Sequence, residues 1–327
     1  MRLYHYILIL LFFTSNTFSQ VTLPIYSDYL SDNVYLIHPA AAGIGNCGKI
    51  RFTARQQWAG IPNAPTLQTL SFHRKFNENS NTGLGLIVFN DKNGFHSQIG
   101  IQGTYTYHIP LSDGRLFEQL SFGLSYSVVF NKSDQRQFVD PAVAQLIEST
   151  TYYNGDFGVA YHRGGFSSYF TIKNLLLSTK NNLKAGLEPL NLRNYIVSLG
   201  YYFGKGKYLQ LEPSVMVQYK EVTGERIVDV NMKAYKTFKN INAWLTLSYR
   251  RSFDVNPIQN YQYITPVFGV NYNNMMFSYT YTKQINDLVL TKSGFHQITV
   301  GFDLFCFRPS LTACPNINAS FGGSYKN

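Results

Sequence analysis

The chain has 327 residues, 45% hydrophobic and 16% aromatic but only 14% charged, with a formal net charge of +10. A mean hydropathy of −0.14 is too polar for a bundle of membrane helices, and 25 Tyr and 25 Phe are too many for a disordered chain. What is left is a β protein, with an outer face suited to lipid.

The first segment addresses the compartment. Arg2 supplies a positive start, Ile7 to Phe13 forms a short apolar run, and Thr17 and Ser19 stand at −3 and −1 for cleavage before Gln20. The run is far shorter than the ~20 residues a membrane helix needs, so residues 1–19 read as a secretory signal peptide. The exported chain then starts at Gln20, and any membrane crossing is made by strands.

Residues 20–48 do not alternate. They hold Pro24, Pro39 and the small-residue run Ala40 to Gly43, and are expected to be a periplasmic lead-in or a plug folded into a lumen. Gly43-Ile-Gly45-Asn-Cys-Gly48-Lys49 matches G-x-G-x-x-G and most of a phosphate-binding loop. Ile50 stands where that loop needs Ser or Thr, and a strand rather than a helix follows, so the segment reads as a turn with no nucleotide.

From residue 49 to 306 the period is two, as in half-buried strands. Ile99, Ile101, Leu209, Leu211, Leu245, Leu247, Ile298 and Val300 share an apolar phase, with polar residues between them. The segments run ten residues or more, against about 5–6 for an average soluble strand, which favours tilted membrane strands over a sandwich. Fourteen are expected: 49–58, 65–76, 82–91, 95–109, 115–131, 151–162, 166–175, 192–203, 208–220, 225–236, 240–251, 260–271, 274–285 and 294–306. Their even number and their alternately short and long connections fit an all-β, transmembrane antiparallel β-barrel of about 14 strands. The long connections 132–150 and 176–191 are expected outside the cell, contributing to partner binding. The remaining residues, 307–327, form a periplasmic tail rich in Ser, Asn and Gly.

The inward phase carries Arg51, Arg55, Lys173, Lys220, Lys233 and Arg250 with Glu212, Asp229 and Asp303. That set is either a lumen of mutually paired charges or a selective pore or acidic-partner socket. His38, His73, His96, His108, His162 and His296 show no metal spacing. Ser121, Ser125 and Ser127 share one phase, with no histidine assignable to them in register, so no enzyme, cofactor or metal is expected. Nor is any nucleic-acid partner. Of the three cysteines, Cys47 precedes the first strand, Cys306 ends the last and Cys314 lies in the tail. An oxidising periplasm permits a bridge from Cys47 to Cys306 or Cys314, the alternative being three free thiols.

The lead-in Pro24-Ile-Tyr26, Tyr29, Asn33 and His38-Pro39-Ala40-Ala41-Ala42-Gly43 resembles the PorP/SprF family of the type IX secretion system in Bacteroidetes. Arg51, Arg55-Gln56-Gln57-Trp58-Ala59-Gly60-Ile61 and Ala64-Pro65-Thr66 resemble that family's R-x-Q-W … P-T stretch. Leu211-Glu212-Pro213-Ser214 and Ser248-Tyr249-Arg250 fit as well. His38 stands where members usually have Asn, and Phe295-His296-Gln297-Ile298 replaces their S-H-E-I. The resemblance implies an outer-membrane protein of secretion and gliding motility that binds the C-terminal domain of a secreted surface protein or adhesin. Periplasmic and outer-membrane secretion components and membrane lipid are its other implied partners. It marks Arg51, Arg55, Gln57, Trp58, Pro65 and Arg250 as partner-binding candidates, and Cys314-Pro315 resembles a Cys-Pro near the end of some members. The alternative is a porin or small-molecule transporter of the same membrane.

Overall fold

The computed structural model describes residues 29–58, 63–111, 117–134, 147–176, 193–204, 208–221, 223–238, 241–253, 260–285 and 294–307. Fourteen antiparallel strands close into a barrel: β1 (Gly48–Gln57), β2 (Thr66–Lys75), β3 (Thr82–Asn93), β4 (His96–Pro110), β5 (Glu118–Asp134), β6 (Ile147–Arg163), β7 (Phe166–Lys173), β8 (Asn194–Tyr201), β9 (Leu209–Lys220), β10 (Arg226–Phe238), β11 (Ile241–Phe253), β12 (Gln262–Tyr272), β13 (Met275–Gln284) and β14 (Phe295–Leu304). Each strand pairs with its sequence neighbours, and β1 pairs with β14 from Gly48↔Leu304 to Gln57↔Phe295. Closure leaves no backbone donor row open to lipid, where an unpaired group costs several kcal/mol.

The alternation read from sequence is the alternation seen. Ile99, Ile101, Leu209, Leu211, Leu245, Leu247 and Ile298 all point outward and are exposed, with Val300 partly so. Aromatic side chains ring both ends of this apolar band. Tyr201, Tyr208, Phe238 and Tyr272 lie at the end that holds the start of β1, while Phe130, Tyr219 and Phe253 lie at the other. Their amphipathic rings suit the two membrane interfaces.

Strand ends differ from expectation by up to four residues, and β5, β6 and β8 show why. The β5–β6 hairpin pairs from Glu118↔Arg163 to Asp134↔Ile147, so β5 starts later and β6 earlier than read, and the hairpin is the longest in the sheet. β8 stops at Tyr201: Tyr202 turns inward and donates its N–H to Gly165 O, Phe203 keeps one isolated bridge to Leu211, and Gly204 takes φ +85°. The connections at the β1-start end are therefore as long as residues 111–117 and 202–208, two more residues than the longest that the expected strand bounds leave there, 77–81 and 110–114. The long connections 135–146 and 177–192, and the tail with Cys314, lie outside the described residues.

Candidate functional site

Residues 29–47 lie inside the barrel, and every residue from Ser31 to Ile44 is buried. Two single 3-10 turns, Val34–Leu36 and Pro39–Ala41, fold this plug back on itself. Pro39 opens the second turn, where a missing N–H costs nothing. An apolar cluster of Val34, Tyr35, Leu36, Ala40, Ala41, Ala42 and Ile44 with Ile87, Ala160 and Tyr169 of the wall forms its core.

The wall is shaped for this plug. A Cβ added at Gly123 of β5 would lie 2.4 Å from Ala40 N, one at Gly83 2.6 Å from Ala42 O, and one at Gly85 2.3 Å from Tyr35 Oη. These inward positions of β3 and β5 carry no side chain because plug atoms occupy the space. The small Ala40-Ala41-Ala42-Gly43 run is the other half of the same fit.

Polar contacts reach strands spaced around the whole circumference. Asn33 donates to Ser71 Oγ at 2.8 Å, Tyr35 Oη to Thr104 Oγ1 at 2.8 Å, and Gly43 N–H to His73 Nδ1 at 3.1 Å. His38 uses both ring nitrogens, Nδ1 with Thr171 and Nε2 with Ser198, each at 2.8 Å, and so ties the plug to β7 and β8 together. Tyr29 Oη donates to Asp229 at 3.1 Å, and Gln297 Nε2 donates to Ser31 Oγ at 3.0 Å. Lys173 Nζ donates to Leu36 O at 3.2 Å and pairs with Asp156 at 3.3 Å. Asp32 of the plug forms a buried ion pair with Lys233 of β10, whose ammonium also sits 3.9 Å from the Trp244 ring centre.

The inward charges settle largely as pairs. Arg51 pairs with Asp303 at 2.9 Å, and Arg250 grips Asp229 through Nε and Nη2, both at 2.6 Å. Glu212 accepts from Tyr235 Oη at 2.6 Å, and Lys220 pairs with Glu225 at the strand end at 2.5 Å. Beside the plug a cavity of about 60 Å³ remains, bounded by Leu30, Asp32, His38, Tyr169 and Lys233. It has room for a few waters.

The candidate partner residues divide. Arg51 lies toward the plug end and Arg250 is held by Asp229, both in ion pairs. Arg55, Gln57, Trp58 and Pro65 come together at the outer end of β1 and β2, where Gln57 N–H donates to Pro65 O at 2.9 Å. Trp58, at φ +50°, packs on a mouth cluster of Ile227, Tyr261, Tyr263 and Phe295. Its buried indole N–H has no hydrogen-bond partner among the described residues.

Sequence reasoning missed one pairing. His108 lies directly opposite Ser121, with Nδ1 2.9 Å from Ser121 Oγ. Ala42 O lies 3.1 Å from His108 Nε2 and can only accept, so Nε2 carries the proton and Nδ1 accepts from the serine. Pairing the strands through their connection would have revealed the register. Ser121 is fully buried, so the dyad fastens the plug to β4 and β5. The structure also joins Cys47 to Cys306, Cα atoms 3.9 Å apart, at the β1–β14 seam where the plug enters the wall.

The family model for the type IX secretion system membrane protein PorP/SprF matches residues 18–302, almost the whole barrel and plug. The chain belongs to the PorP/SprF family. It is thus an outer-membrane β-barrel of the type IX secretion system, in a family not known for enzymatic activity. No curated protein matches it. Among solved structures this PorP/SprF chain is similar to the Acinetobacter baumannii outer membrane protein Omp33, at 7% identity and a TM-score of 0.43, covering 80% of this chain and 100% of that one. BamA from Haemophilus ducreyi lacking POTRA domains 1–3 is similar at 10% identity and a TM-score of 0.41, covering 79% of this chain and 70% of that one. Salmonella typhi OmpF in complex with daunomycin is similar at 11% identity and a TM-score of 0.38, covering 79% and 96%.

Proposed function

We propose that this barrel binds or anchors secreted surface proteins, adhesins among them, through their C-terminal domain, together with periplasmic and outer-membrane secretion components, and that it does so without covalent chemistry. The observation that carries this reading is the plug. A lumen crossed by a buried segment that is bonded to strands on every side suits a docking platform better than a passage for nutrients. Trp58, half-buried at the mouth above buried Arg55, Gln57 and Pro65, is the contact we favour. Arg250, paired with Asp229, lies inside the barrel near that mouth, while Arg51, paired with Asp303, lies toward the other end.

Two measurements on the full-length protein test the reading. Purified protein in planar bilayers is expected to pass no steady ion current, and affinity capture from native membranes is expected to retain a secreted protein through its C-terminal domain. Trp58→Ala should weaken that capture several-fold. Such losses are typical of an aromatic anchor removed from an interface. Open-channel current with nothing captured would instead identify a porin.

A further inference from the structure

On the outer surface, near the end opposite the Cys47–Cys306 bridge, three side chains stand in one row across adjacent strands. Lys92 of β3 pairs with Ser97 of β4, and Ser97 pairs with Lys132 of β5. All three belong to the outward phase of their strands, the phase of Ile99 and Phe130. We propose that this row is a binding site for the phosphorylated headgroup of an outer-leaflet lipid.

The site is concave. A pocket of about 440 Å³ is lined by Lys92, Ser97, Lys132, Asn63, Gly94, Phe95 and Asp134, two ammonium groups to one carboxylate. Its upper wall is held by backbone: Gly94 N–H donates to Asn63 O at 3.2 Å, and Asp134 N–H donates to Phe95 O at 2.9 Å. Gly94 and Asn63 both take left-handed φ, +61° and +56°, which turns the chain tightly over the pocket. Strands two places apart lie about 10 Å from each other, so two long lysine side chains reach one anion between them, with the Ser97 hydroxyl as a third donor. Neither ammonium has a partner among the described residues.

The surroundings choose the ligand. One step toward the membrane centre from the row stand Ile99 and Phe130, each 49% exposed on the lipid-facing surface. A basic cup directly above an apolar wall fits a molecule with phosphate at its head and acyl chains below, and a free phosphate would make no use of the wall. Opposite charge at a membrane surface contributes roughly 1 kcal/mol per lysine. The end of the barrel is fixed by its connections, since the longer ones lie on this side, as they do at the external face of outer-membrane barrels.

The test is binding of bisphosphorylated lipid A to the detergent-purified, full-length protein by native mass spectrometry, with inorganic phosphate as competitor. Lys92→Gln with Lys132→Gln should weaken lipid binding about 25-fold, from a factor of roughly five for each lysine. Each single variant should show about the fivefold step, which covers the case of a double variant that does not fold. Lys236→Gln, an exposed lysine near the opposite end of β10, should leave binding unchanged. Unchanged affinity in the double variant, an equal loss in Lys236→Gln, or displacement of the lipid by equimolar inorganic phosphate would overturn the proposal.

Discussion

Gly123 shows how one missing side chain decides what the lumen contains. It faces inward on β5, and the atoms closest to a Cβ there are plug backbone: Ala40 N at 2.4 Å, Pro39 C at 2.5 Å and Ala40 Cα at 2.7 Å. Backbone cannot swing aside as the tip of a flexible side chain can, so Gly123→Val must displace the plug or strain the wall, at about 1–3 kcal/mol. Faster hydrogen exchange over residues 33–44 and the appearance of ion current in bilayers are expected. Gly103, where an added Cβ meets nothing within 4 Å, is the matched control, and Gly103→Val should alter neither. Equal behaviour of the two variants would mean that the plug does not rest on β5. In the sequence alone Gly123 is one of 25 glycines; its phase, that of Ser121 and Ser125, turns it inward where Gly103 faces out with Ile99 and Ile101, but does not say what it meets there. Only its partner Ala40, 83 residues upstream, gives it meaning, and a local pattern cannot bring that partner to it. The same holds for Ser121 and His108, which are 13 positions apart in sequence but directly opposite across the β4–β5 ladder.

At the scale of the element, the strands were legible because lipid on one side and a filled lumen on the other impose a period of two along the whole strand. β11 is the clearest case: its exposed residues Ile241, Leu245, Leu247 and Tyr249 alternate with buried Asn242, Trp244, Thr246, Ser248 and Arg250. Trp244 is an apolar exception on the inner face. It fits there because Gly269 lies opposite it on β12, where a Cβ would come within 2.1 Å of the indole. Strand ends were less legible because the lipid constraint stops at the interface, as in the β5–β6 hairpin that continues beyond the expected bounds. Leu247 sits at the centre of β11, so Leu247→Arg should cost about 2–4 kcal/mol in reversible folding into bilayers. The same change at Ile241, at the strand end, should cost about 0–1 kcal/mol. A flat cost along β11 would mean that these side chains do not face hydrocarbon.

For the whole molecule, the arrangement of its connections sets which way it sits. The start of β1 and the end of β14 meet at one end, tied by Cys47–Cys306, so the plug enters the lumen there. The connections at that end include the two-residue turns 164–165, 239–240 and 273–274 and none longer than 111–117 or 202–208. At the other end lie 135–146 and 174–193. Outer-membrane barrels carry short turns on the periplasmic side and longer connections outside. The mouth residues Trp58 and Pro65 and the Lys92–Lys132 row then face the cell exterior, where a secreted protein and the outer leaflet are both within reach. Long surface connections are also where proteases cut most readily. Protease added to intact cells should therefore cleave within 135–146 and 177–191 and spare 204–207, whereas permeabilised cells should also be cut at 204–207. Cleavage of intact cells at 204–207 with the two long connections untouched would reverse the orientation, and the Lys92–Lys132 row would then meet the periplasmic leaflet instead.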